Sequence, residues 1–368
     1  MTRTGIGRRR RGRTVLAVLA VLALLATACG DGDDDAAPAG GERPPTVTVR
    51  VATTPNLANP GPLLIAQKRG WFAEQGIELD MKVLDLNEIV GSVASGGIDV
   101  VTHTMWAGMY NAMLNTETRI VAAVGAVDRG HAPSGIVLRK GLAGTVREPK
   151  DLRGRTVAHC GLNGACEYLV ERFLQQGGLT TKDVKLVQLT FAEIAPAMAN
   201  GAVDAALIAE PLYSAGIKQG AFVDFMRSDR IYPVPFTTTV MYYSGDFRTK
   251  KNDVAERFMV AALRGMRAWT DALVHGGPEA TDTIALLGNA KPLIPVDVAT
   301  IEALKASGGV DSMDPTGYGR MDTGPALLLA WMQGRSLVDT SLTIDRVVDT
   351  SFLDKANEKL GAYRAPGS

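Results

Sequence analysis

The stretch from Arg155 to Pro211 reads as one complete strand, glycine loop, helix, strand, helix, strand unit. It has an earlier twin, and that duplication restricts the chain to a fold with two α/β halves. Thr156 to Cys160 is a short β-branched and apolar run, and Gly161 to Gly164 is a turn-rich loop. Ala165 to Gln176 carries Tyr168, Leu169, Phe173 and Leu174 at helical spacing before Gly177 and Gly178 end it. Val184 to Leu189 is the next strand, Ile194 to Ala199 lies in the next helix, Gly201 stops it, and Val203 to Ile208 is a third strand before Glu210 and Pro211. The twin has strand Val47 to Ala52, loop Pro55 to Gly61, helix Pro62 to Glu74 and stop Gly76. Strand Leu79 to Leu86, helix Ile89 to Ala94, stop Gly96-Gly97 and strand Asp99 to Thr102 complete it. Even the punctuation repeats, since Gly97-Ile98-Asp99-Val100 answers Gly201-Ala202-Val203-Asp204-Ala205. Two such units imply two mostly parallel sheets flanked by helices, each with a crevice at the carboxyl ends of its strands. A small ligand held between the two crevices is the function this architecture suggests.

The 368 residues exceed one ordinary core and suit two α/β lobes. Residues 1–28 read as an export signal: six arginines with no acid, then the apolar run Val15 to Ala26, too short to span a membrane. Residues 29–45, with Asp33-Asp34-Asp35, read as a solvated tether. Without the signal, 33 basic residues face 39 acidic ones, so no basic excess remains to bind nucleic acid. The arginine run leaves twin-arginine export open beside the general route.

Several polar residues fall at predicted strand ends. Thr54 and Asn56 follow the first strand, and His103, Thr104 and Trp106 follow the third. An imidazole, a hydroxyl and an indole together suit a small amphiphilic solute. His131 lies in the Asp128 to Gly135 segment expected to cross between lobes, and Tyr242 near the return crossing. In the second unit His159, Cys160, Asn163, Gly164 and Ala165 surround the amino end of a helix, whose free amides and positive dipole end favour an anionic group. Glu210 stands at the end of the third strand, where its carboxylate would accept from a ligand amine or instead bind backbone amides. Cys160 and Cys166 are either a short disulfide or two buried thiols; with His159 they lack a recognisable zinc spacing, so no metal is expected. No cofactor is indicated.

With these residues in view, the chain resembles the type II solute-binding proteins of ABC importers, nearest to the group for alkanesulfonates, taurine, nitrate or thiamine pyrimidine precursors. The matching residues are Gly70-Trp71-Phe72 with Gly76-Ile77, Gly97-Ile98-Asp99-Val100, Asp151-Leu152-Arg153-Gly154-Arg155-Thr156-Val157-Ala158, Gly201-Ala202-Val203-Asp204-Ala205, Glu210-Pro211 and Val348-Asp349-Thr350-Ser351-Phe352. Ala26-Thr27-Ala28-Cys29 resembles a bacterial lipobox, departing from it at Ala26, and implies acylation of Cys29; the other reading is a plain signal cut after Ala28. The resemblance implies a two-lobed periplasmic-binding-protein type II fold, residues 46–134 and 242–368 forming one lobe and 135–241 the other. It further implies a monomer, tethered by lipid to the outer face of the cell membrane, that closes on a solute and docks on a permease with its ATPase.

An anionic or zwitterionic solute such as a sulfonate is the first ligand expectation, with a pyrimidine-type thiamine precursor or an aromatic carboxylate as alternatives. The competing class is an exported enzyme using Cys160 or Cys166 with a His base. No nucleophile elbow supports hydrolysis.

Overall fold

The computed structural model describes residues 44–367. The expected signal, Cys29 and nearly all of the tether lie outside the described residues. The first sheet contains β1 (Val47–Thr53), β2 (Ile77–Val83), β3 (Val100–Thr104), β4 (Arg119–Val127) and, much later in the chain, β10 (Phe236–Tyr243), in the order β2-β1-β3-β10-β4. The second contains β5 (Ser134–Leu138), β6 (Thr156–His159), β7 (Lys185–Gln188), β8 (Ala205–Ala209) and β9 (Val223–Arg227), in the order β7-β6-β8-β5-β9. Each duplicated unit supplies the three parallel strands of its sheet, so β1 lies between β2 and β3 as β6 lies between β7 and β8. Each sheet then takes an antiparallel strand from just past a crossing: β5 pairs with β8, and β10 pairs with β3 and β4.

The repeated aspartate has a repeated job. Asp99 Oδ2 accepts from Arg50 N at 3.0 Å while Asp99 N donates to Arg50 O at 2.9 Å. In the second sheet Asp204 Oδ2 accepts from Thr156 N at 3.1 Å and Asp204 N donates to Thr156 O at 2.9 Å. Each acid thus satisfies a backbone donor on the neighbouring first strand, which fixes the register at which the third strand enters.

Six helices matter for the site: α1 (Gly61–Lys68), α2 (Ala107–Asn115), α3 (Ala165–Gln176), α4 (Leu212–Gln219), α5 (Asn252–Trp269) and α6 (Pro325–Gly334). α5 is a long amphipathic helix whose Phe258, Ala262, Met266 and Trp269 are buried, as their spacing predicts. It lies so close to α1 that a Cβ on Gly265 would stand 2.1 Å from Pro62 O. The single helix expected over Asp253 to Leu273 ends at Trp269 and continues as a π-helical turn, Thr270–Val274.

Two expectations about the chain's path need correction. All of β10 belongs to the first sheet, so the return crossing runs through residues 228–235 and not at 242. Met241 and Tyr242 are therefore buried near the carboxyl end of β10. The carboxyl-terminal segments are also more than cover for the first lobe. One apolar cluster joins Leu328, Leu329 and Met332 of α6 to Tyr168 and Phe173 of α3 and to Tyr110 of α2, running from one lobe into the other.

Candidate ligand-binding cleft

The carboxyl ends of the two sheets are brought together by α2 and α3, whose amino ends touch. Trp106 and Gly164 form an antiparallel bridge. Ala107 N donates to Asn163 O at 3.0 Å, and Ala165 N donates to Met105 O at 3.4 Å. A Cβ on Gly164 would stand 3.1 Å from Met105 O, so the bridge favours a residue without a side chain. A second approach between lobes joins Gly309 to Glu210, whose Oε1 would lie 3.0 Å from a Cβ on that glycine.

On the first lobe Thr54 and Asn56 shape the loop after β1. Asn59, which sequence reasoning passed over, donates from Nδ2 to Thr54 Oγ1 at 2.5 Å, and its N donates to Asn56 Oδ1 at 2.8 Å. These groups satisfy the turn before α1. The His103 ring packs edge-on against Trp106 with centroids 4.9 Å apart, and its Nδ1 lies 3.3 Å from Thr104 O. Burial pulls the His103 pKa down to about 4, so the ring is neutral near pH 7. Tyr242 donates to Thr104 O at 3.1 Å and meets Trp106 edge-on at 6.2 Å. It braces the strand end from behind.

On the second lobe His159 is buried, with Nδ1 2.9 Å from Gly161 O and a pKa lowered by that burial. Cys160 and Cys166 are joined by a disulfide with Cα atoms 5.8 Å apart. Closing so short a loop contributes about 2 kcal/mol on the chain-entropy account.

At the helix amino end expected to catch an anion, a carboxylate of the chain itself already engages the loop amide ahead of the helix. Asn163, at φ 58°, donates its N–H to Glu167 Oε2 at 2.8 Å. The Glu167 side chain is only 3% exposed, and its other oxygen accepts from Arg335 Nη2 at 2.7 Å. A carboxylate of the chain itself occupies the favourable end of the α3 dipole. Sequence reasoning missed this because Glu167 reads as an ordinary first-turn acid, and its partner is 168 residues away.

Glu210 is similarly engaged. Its Oε1 accepts from Arg227 Nη1 at 3.0 Å and Ser214 Oγ at 2.8 Å, and its Oε2 accepts from Ser214 N at 3.0 Å, in the first turn of α4. Arg227 also donates to Ala132 O and lies over the Tyr213 ring, 4.5 Å from the centroid. Of the two options for Glu210, the geometry matches the one in which it holds protein groups. His131 is elsewhere: it lines an open recess of about 420 Å³ with Leu273, Ile284, Glu302 and Lys305.

One acid at this edge has no cationic partner among the described residues. Gly309 to Ser312 runs along the carboxyl end of β4, where Ser312 bridges to Ala126. Asp311 lies between these contacts, with the Thr238 hydroxyl as its side-chain neighbour and no ion pair among the described residues. Burial raises its carboxyl to about 7, with Thr238 favouring the charged form. A lone acid after Gly308-Gly309, far from both repeated units, gives no periodic signal, which is why it was not among the expected site residues.

Comparison with known proteins agrees with this architecture. The NMT1/THI5-like family model matches residues 58–272. YtlA of Bacillus subtilis (strain 168), which carries the name of a binding protein, is 26% identical over 246 residues, covering 64% of this chain and 69% of YtlA. Among solved structures, the periplasmic nitrate-binding protein NrtA from Synechocystis PCC 6803 superposes with a TM-score of 0.67 at 15% identity, over 87% of this chain and 90% of that one. The periplasmic aliphatic sulphonate binding protein SsuA from Escherichia coli gives 0.60 at 17% identity, over 81% and 91%. The two five-stranded sheets meeting at their carboxyl edges are thus those of the periplasmic-binding-protein fold, and the chain belongs to the NMT1/THI5-like family.

Proposed function

We propose that this protein captures a small polar solute outside the cytoplasm and presents it to the permease of an ABC importer. The observation that carries the reading is the bridge between the segments that leave the carboxyl ends of β3 and β6, on lobes joined through 128–133 and 228–235. Family membership and the fold of its neighbours support it. A solute bound at that edge touches both lobes only when they are together, so it closes the protein by binding that arrangement more tightly. A micromolar dissociation constant, ordinary for such capture, corresponds to about 8 kcal/mol.

The test is a thermal-shift and calorimetry screen over sulfonates, aromatic acids, pyrimidines, amines and nitrate, with small-angle scattering on any hit. A binding solute is expected to raise the midpoint and leave the solute chemically unchanged, and replacing both Cys160 and Cys166 by Ala should retain affinity. A chain that binds nothing in the screen, or that turns a solute over through Cys160 or Cys166, would contradict the proposal.

Supporting an exported position, residues 1–28 have the basic and apolar order of a signal, and no described helix is long and apolar enough to cross a membrane. We assign the membrane tether to Cys29 through the Ala26-Thr27-Ala28-Cys29 sequence. Labelled palmitate should enter the wild-type chain in a bacterial host and not the Cys29→Ala variant; equal labelling would remove the anchor.

A further inference from the structure

We infer that the captured solute presents a protonated or hydrogen-bond-donating nitrogen, and that Asp311 is the residue that recognises it. This rests on the capture reading above and names its substrate class. Several elements depart from regular structure around this one carboxyl. β10 carries a register shift at Thr238, because the pairing with β4 passes from Thr237 opposite Ala126 to Thr239 opposite Gly125. The extra residue turns its hydroxyl to donate to Gly125 O at 3.2 Å. Gly125 makes room: a Cβ there would stand 3.0 Å from Asp311 Oδ1. Trp269 Nε1 donates to Asp311 O at 3.3 Å and fixes the backbone from below. Bulges of this kind re-aim side chains at sheet ends.

The result is a partly buried aspartate that lies three residues from Gly308 and two from Gly309, where the lobes approach. The charges around this edge favour the same ligand. Arg227 is committed to Glu210, and His103 and His159 are neutral. Asp128 and Asp229 add negative charge at the crossings, where Asp229 accepts from Gly130 N. Arg129 is exposed in the crossing turn, its side chain unpaired among the described residues. An anion entering the cleft would meet Asp311 with no buried cation free to offset it. A cationic nitrogen would instead gain a charge-assisted hydrogen bond in a partly desolvated place.

Calorimetry on the full chain separates the classes, with 4-aminopyrimidine, benzamidine and agmatine as nitrogen probes and ethanesulfonate, nitrate and benzoate as anions. At least one nitrogen probe is expected to bind, more tightly at pH 8 than at pH 6, and the isosteric Asp311→Asn should weaken it at least tenfold. No anion should bind. A second readout belongs to the carboxyl itself. Folding raises its pKa from 3.8 to about 7, so the native state holds the extra proton between those values. Stability of the unliganded protein should therefore fall as pH rises across that window, and Asp311→Asn should remove that fall. Binding of any anion, or nitrogen-probe affinity unchanged in Asp311→Asn, overturns the assignment and leaves the capture function standing. Silence from both sets overturns both.

Discussion

Asp99→Ala is expected to remove on the order of 3–5 kcal/mol of stability at pH 7, the range for breaking a buried ion pair from one side. The side chain is 2% exposed and holds three donors besides the Arg50 amide: Arg50 Nε at 2.8 Å, Arg50 Nη2 at 2.9 Å and Lys251 Nζ at 2.9 Å. Truncation strands Arg50 N at the junction of β1 and β3 and leaves two cations without their anion. Burial alone would raise the Asp99 pKa, but the Arg50 and Lys251 contacts hold it below the ordinary aspartate value of 3.8. A depressed folded pKa contributes stability that is fully present above the unfolded value and is lost as pH falls through the folded one. Urea unfolding of wild type and variant should thus differ most near neutral pH, and the gap should narrow as the pH falls below the ordinary aspartate value. A gap that stays constant into strong acid would show that the charge is not the source. Asp204, at 17% side-chain exposure, performs the twin role in the second sheet and should cost less when removed.

Arg335→Met is expected to cost about 3 kcal/mol and to loosen one lobe from the other. Arg335 follows α6 and grips α3, donating to Glu167 Oε1 at 2.7 Å and to Glu171 Oε2 at 2.6 Å. Trp331 of α6 reinforces the grip, with Nε1 donating to the same Glu171 oxygen at 3.0 Å. Without the guanidinium, the Glu167 charge stays buried with the Asn163 amide alone, so most of the cost is the stranded anion rather than the lost bond. The double variant Glu167→Gln with Arg335→Met should recover much of the loss in thermal unfolding. Equal losses in single and double variants would contradict that account. Small-angle scattering of the single variant should also report a larger radius of gyration, because the contact spans the lobes.

The sheets were legible in the sequence because their strands are buried on both faces and read as short apolar runs between glycine stops, as Val49, Val51, Val100 and Val101 do in the first unit. The duplicated aspartate was visible as punctuation, though its hydrogen bond to the first strand was not, since that bond joins Asp99 to Arg50 across 49 residues. The return crossing was misplaced because Thr237 to Tyr243 is equally β-branched and apolar whichever sheet receives it. The cleft was legible only by position. Strand ends pointed to His103 and Trp106, which do meet, but polarity could not distinguish a group open to a solute from one already engaged. Glu210 with Arg227, and the α3 amino end with Glu167, are engaged by partners that no local pattern announces. Asp311 is the converse, an acid with no motif around it whose surroundings come from β4, β10 and α5.

The late arrival of β10 has a consequence for biogenesis. The second sheet needs only residues 134–227, a continuous stretch that can assemble as soon as it emerges. The first sheet lacks the strand between β3 and β4 until residue 236 is available, so β3 and β4 present unpaired edges to one another through most of synthesis. Open edges of that kind are templates for wrong pairing between chains. A molecule interrupted before Phe236 would therefore carry one complete sheet joined to another with two unpaired edges.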